Sequence, residues 1–143
     1  MIMKLNRGAS AMRKHNGRAL LSVGTNLSLL GLRNAVFTQA GYNVITARSA
    51  AQAAKLINST SLSAVVVGHS LNWALQERVV AEAKKRALPA VVLHEHPFSR
   101  PVVLADANLC GIDGAATVTD LLGQLLGSNG ETTIHARRNE GRR

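Results

Sequence analysis

Short apolar runs recur along the middle of the chain, and each stops abruptly at a small or polar residue. "ALLSVG" (19–24) is the first, closed by Gly24, and "YNVITA" (42–47), "LSAVVVG" (62–68), "LPAVVLH" (88–94) and "ADANLC" (105–110) follow. These runs have strand composition, and the fullest of them do not alternate with polar residues, so they predict strands covered on both faces. Between them lie stretches with helical spacing. "NLSLLGLRNAVFTQAG" (26–41) places Leu27, Leu30, Leu32, Val36 and Phe37 along one helical face, with Gly41 as its stop. "SAAQAAKLINS" (49–59) predicts a helix capped by Ser49, and "NWALQERVVAEAKKRA" (72–87) a helix with Trp73, Leu75, Val79 and Ala83 near one face. Asp113 is placed to cap a last helix in "GAATVTDLLGQLLG" (114–127). Only "EHPFSRPVVL" (95–104) breaks the alternation: Pro97 and Pro101 disfavour a helix there, so the fourth crossover is expected to be reduced.

Strand and helix thus alternate over 18–127, which predicts one α/β domain: a doubly wound, five-stranded parallel sheet built from right-handed crossovers. Residues 1–17 and 128–143 are polar and basic and read as disordered arms. No internal repeat is evident.

Composition refines this picture in three ways. Aromatics make up 3% of a chain that is 46% hydrophobic, so Ala, Val and Leu must fill the core. No window is apolar and long enough for a membrane span, and the N-terminus lacks the apolar block of a secretory signal. The lone Cys110 allows no internal disulfide, which fits a reducing cytoplasm, and reads as a small buried apolar residue rather than a nucleophile. The net charge of +9 is concentrated at the ends: residues 1–18 carry +5 with no acid and the tail 128–143 carries +2. Such arms can meet nucleic acid, but no aromatics interleave these charges to stack on bases. A small nucleic-acid-associated regulator using its basic arms is the alternative reading, not the favoured one.

Ligands and reactive groups in an open α/β sheet gather outside the carboxyl ends of the strands. Here those ends carry Gly24, Thr25 and Asn26 after the first strand, Gly68, His69 and Ser70 after the third, and His94 after the fourth. The stretch "ALLSVGTNLSLLGLRNAVFTQAGYNVITARSAAQAAKLINSTSLSAVVVGHSL", above all its "AGYNVITARSAAQAAKLI", resembles the CheY-like receiver domain of bacterial response regulators, and the resemblance covers about 18–126. It implies a magnesium ion held by an acid pair after the first strand and by a phosphoacceptor aspartate ending the third. It also implies a hydroxyl after the fourth strand and a lysine after the fifth. In this chain the acid-pair positions fall on Gly24 and Thr25, the acceptor on Gly68, the hydroxyl on His94 and the lysine near Gly111. Hard cations need carboxylate oxygens, and phosphoryl transfer needs positive charge around its oxygens. Each of these positions has lost its chemistry, so the chain reads as a degenerate pseudo-receiver with an altered pocket.

Sharper readings of the same residues are weaker. His69, His94, Glu95 and His96 have ligand chemistry suited to zinc, but His94 and His96 alternate in direction along an extended chain. His69 and Ser70 are adjacent on a strand end, so a nucleophile–base pair would point to opposite faces, and no third group orients it. "GTNLSLLG" lacks the dinucleotide-binding spacing. Trp73 is expected to pack over the former pocket, and Lys84–Arg86 to meet the dipole at a helix C-terminus. The resulting expectation is a cytoplasmic, non-enzymatic, stand-alone response-regulator-like module that binds no metal and no cofactor. It would engage another signalling protein or a second copy of itself through the first, fourth or fifth helix that the resemblance implies, or through the loops between them.

Overall fold

The computed structural model describes residues 18–110 and 114–127. Five strands, β1 (Ala19–Val23), β2 (Asn43–Ala47), β3 (Ala64–Val67), β4 (Ala90–His94) and β5 (Ala107–Cys110), form one sheet in the order β2-β1-β3-β4-β5. All four pairings are parallel, with Leu21 opposite Ile45 and Val65, and Val92 opposite Val67 and Asn108. Four helices alternate with them: α1 (Leu27–Gln39), α2 (Ala50–Ser59), α3 (Trp73–Lys85) and α4 (Gly114–Leu125). The five-stranded, doubly wound sheet is therefore as the apolar runs predict. Between β4 and β5, residues 95–106 hold only turns and bends, so the fourth crossover has no helix.

Side chains alternate across each strand, so the core divides into two layers. Leu21, Val23, Val65, Val67 and Val92 face α2 and α3, against Ile57, Val79 and Val80. Leu20, Val66, Val91 and Leu93 face α1 and α4, against Phe37, Tyr42 and Leu122. The caps follow the sequence: Ser49 Oγ accepts from Gln52 N at 3.0 Å, Asn26 Oδ1 from Leu29 N at 3.1 Å and Asn72 Oδ1 from Leu75 N at 3.0 Å. Gly41 leaves α1 at a φ of 98°, a value that costs glycine little.

One expectation about α1 fails. Leu27, Leu30, Leu32, Val36 and Phe37 do not share a buried face: Leu30 and Phe37 are buried, Val36 is half-buried, and Leu27 and Leu32 are 60% and 70% exposed. The reason is geometric. Two residues along a helix turn about 200°, so Leu32 lies nearly opposite Leu30, while Leu27 sits in the first turn. The caps and charges elsewhere are structural. Lys84 pairs with Asp106 at 2.6 Å, and Arg86 donates to Asn58 O at 2.9 Å. The arms, Gly111 and the proposed Asp113 cap lie outside the described residues.

Where the missing helix would pack, one side chain holds the loop. Asn108 Oδ1 accepts from Val102 N at 2.8 Å, and Asn108 Nδ2 donates to Val102 O at 3.0 Å. Val102 is thereby held in the core, fully buried, by an edge-strand amide that mimics a strand pairing.

Tyr42 gives a test of the α1–α4 layer. Its phenol is buried, and burial raises its pKa above the ordinary tyrosine value, with Arg18 opposing weakly. The native state therefore favours the neutral phenol. This contribution to stability is intact below the unfolded pKa of about 10 and is lost as pH rises through the raised native one. Tyr42 is the one tyrosine in the chain, so an ultraviolet absorbance titration follows it alone. The native midpoint is expected above that of the urea-unfolded chain; coincident midpoints would remove Tyr42 from the core.

Candidate functional site

The carboxyl ends of β1, β3 and β4 bring Gly24, Gly68 and His94 to one edge of the sheet. Gly24 and Gly68 are both buried, and their loops are tied directly to each other. Gly68 N donates to Val23 O at 2.8 Å, and Thr25 N donates to Ser70 Oγ at 2.8 Å. A Cβ on Gly24 would lie 3.2 Å from that same Ser70 Oγ. Neutral hydrogen bonds thus join the two loops. Ser70 Oγ is engaged with Thr25, not with His69.

The space beside Gly68 is filled by Arg33, a residue the sequence reading passed over. Arg33 reaches from α1 to the sheet edge, where Nε and Nη2 donate to Ser22 Oγ at 3.3 and 3.1 Å and Nη2 donates to Val23 O at 3.1 Å. Its Nη1 lies 2.7 Å from where a Gly68 Cβ would stand. Among the described residues no carboxylate pairs with Arg33, and burial pulls the guanidinium down to about 10. It remains protonated at neutral pH, a partly desolvated cation. Ser22, fully buried in β1, is present as its acceptor. A lone arginine among the leucines of "LLGLRNAVF" was the signal available in the sequence, since a cation on an otherwise apolar helix needs a partner or a task.

A divalent cation does not fit these residues. Magnesium takes oxygen ligands, chiefly carboxylates, whereas Gly24, Thr25 and Gly68 offer no carboxylate and Arg33 brings positive charge into the same space. Two acids of the described residues that border the sheet, Asp106 and Glu95, lie elsewhere. Asp106 accepts from Ala90 N at 2.7 Å and pairs with Lys84, which puts it at the opposite, amino edge of the sheet. Glu95 is exposed just past β4.

His69, His94, Glu95 and His96 do line one cavity of about 280 Å³, together with Trp73 and Gln76. They do not assemble into a ligand set: among the described residues no group of three His, Cys, Asp or Glu side chains is arranged to hold a metal. His94 is instead buried and bonded, its Nε2 2.7 Å from Asn108 Oδ1. That oxygen also accepts from Val102 N, so Nε2 carries the proton. Gln76, also unremarked in the sequence, spans the strand ends from α3, donating to Gly68 O at 3.1 Å and Leu93 O at 3.3 Å. Trp73 lines this cavity, its Nε1 donating to Pro101 O at 3.1 Å and its ring covered by Arg100 at 3.6 Å. Cys110 is half-buried on β5, not enclosed. Gly111 lies outside the described residues.

No known family model and no curated protein matches the chain. Solved structures do. The receiver domain of a sensor histidine kinase from Pseudomonas aeruginosa PAO1, with a magnesium ion in its active-site cleft, superposes with a TM-score of 0.70 at 17% identity, over 78% of this chain and 99% of that one. A response regulator from Thermotoga maritima in complex with Mg²⁺-BeF gives 0.68 at 17% identity, over 76% and 98%. A CheY-like receiver domain from Methanospirillum hungatei JF-1 gives 0.69 at 15% identity, over 80% and 97%. Among the described residues no helix is long and apolar enough to cross a membrane. The chain has the fold of a response-regulator receiver domain.

Proposed function

We propose that this protein is a phosphorylation-independent receiver-like module that acts in signal transduction by binding another protein rather than by turnover. The observation that carries the reading is Arg33 lying over Gly68. The position that ends β3 has no side chain to accept a phosphoryl group, and a guanidinium lies beside it, Nη1 2.7 Å from where a Cβ would stand. A permanent positive charge also takes over part of what a bound metal would contribute electrostatically, without depending on one. The loop that replaces the fourth crossover helix supports a binding role. It exposes Phe98, Val103 and Leu104 at 94%, 85% and 59%, apolar surface suited to a partner such as another signalling protein. Incubation with acetyl phosphate and Mg²⁺ is expected to give no hydroxylamine-labile phosphoryl group on the protein by intact mass. Stoichiometric labelling would overturn the reading.

A further inference from the structure

A second cavity, of about 350 Å³, opens between α1 and α4 on the other side of His69. Leu29, Leu32, Arg33 and Val36 line it from α1 at i, i+3, i+4 and i+7, one continuous helix face. Leu93 lies across from them on β4, and on the α4 side Gly114 and Ala115 are too small to fill the gap. Apart from His69 and Arg33 the described lining is aliphatic or glycine, and Leu29 and Leu32 stay exposed at 40% and 70% on a helix whose other face is in the core. Among the described residues, the one Lys, Arg, Asp or Glu lining this cavity is Arg33.

That guanidinium is incompletely used. Ser22 Oγ and Val23 O take Nε and Nη2, while Nη1 makes no hydrogen bond among the described residues. A guanidinium presents five donors in a planar fork that matches a carboxylate, and a partly desolvated cation with no counter-ion among the described residues gains from an anion beside it. We infer that the α1–α4 groove binds a small aliphatic carboxylate, its anionic head on Arg33 and its chain along Leu29, Leu32, Val36 and Leu93. The volume is at the small end of ligand sites, roughly 300–1,000 Å³, which suits a medium-length chain better than a protein segment. This inference does not depend on the loss of phosphorylation, since the groove is built from α1, β4 and α4 side chains that take no part in that reading except Arg33.

The test is calorimetric titration of the full chain with butanoate, hexanoate and octanoate. Affinity is expected to rise about fourfold for each added methylene. Octanol, which has the chain without the charge, and inorganic phosphate, which has the charge without the chain, are each expected to bind at least tenfold more weakly than octanoate. Arg33→Met should lose octanoate at least tenfold. Leu32→Glu, at an exposed position where unfolding is not at issue, should weaken it severalfold by placing a competing carboxylate at the mouth. In the wild-type protein the Arg33 Nε–H resonance should move on octanoate addition. Equal affinity for octanoate and octanol, phosphate binding as tight as octanoate, unchanged octanoate affinity in L32E and R33M, or no heat and no Arg33 shift at millimolar octanoate would each overturn the inference. The phosphotransfer assay reads independently of all of these.

Discussion

In a Gly68→Asp variant, pairing of the new carboxylate with Arg33 is expected to make the protein about 1–3 kcal/mol more stable near neutral pH than at about pH 3, relative to wild type, through charge-assisted hydrogen bonds. The new Cβ would begin 2.7 Å from Nη1 and 3.2 Å from Val23 O. The guanidinium, as the end of a flexible side chain, can shift to make room, whereas the carbonyl can give only a few tenths of an ångström. The carboxylate then faces a cation that has no other acidic partner among the described residues. Pairing holds the native pKa of the introduced carboxyl below the unfolded value of about 3.9. The gain is therefore complete above that value and is lost as pH falls through the depressed native one. Urea unfolding of G68D and wild type at neutral pH and at about pH 3 measures it. The same variant is expected to leave Trp73 emission unchanged on Mg²⁺ addition, because the paired carboxylate stands alone beside Gly24 and Thr25. A difference in midpoint that does not depend on pH would mean that Arg33 is not beside residue 68. A saturable Mg²⁺ response would mean that one acid is enough to rebuild the site.

Phe37→Ala is expected to cost about 3–5 kcal/mol, the range for a buried phenyl truncated in a core that cannot collapse around the gap. The chain has two phenylalanines, and Phe98 is 94% exposed, so Phe37 is the only buried one. It packs with Leu20, Val66, Val91 and Leu122, residues too short to reach into the space it leaves. The loss should appear as a lower urea midpoint with an unchanged slope. A loss near 1 kcal/mol, the size of a typical single substitution, would mean that α1 settles onto the sheet to close the cavity.

The three inner strands were legible because burial on both faces leaves an uninterrupted apolar run, and "AVVV" in β3 or "AVVLH" in β4 admits few other readings. The helices were legible through their caps, Asn26, Ser49 and Asn72, whose bonds are local. The reduced fourth crossover followed from Pro97 and Pro101, since proline restricts its own segment. What failed was orientation and partnership at a distance. Leu32 was assigned to the core face of α1 because the segment is leucine-rich on all sides, so periodicity there carries little information. Arg33 was missed because its acceptors, Ser22 and Val23, belong to another element, and only the fold brings them within reach. Gln76 and Asn108 were missed for the same reason: an amide that bridges two strand ends or pins a loop looks in the sequence like any surface polar residue.

The Thr25–Ser70 bond has one more consequence. Both its groups are uncharged, so Debye screening does not weaken it and a chelator finds nothing there to remove. This link between the two loops is thus formed in folding by uncharged groups and does not vary with the ionic strength of the buffer.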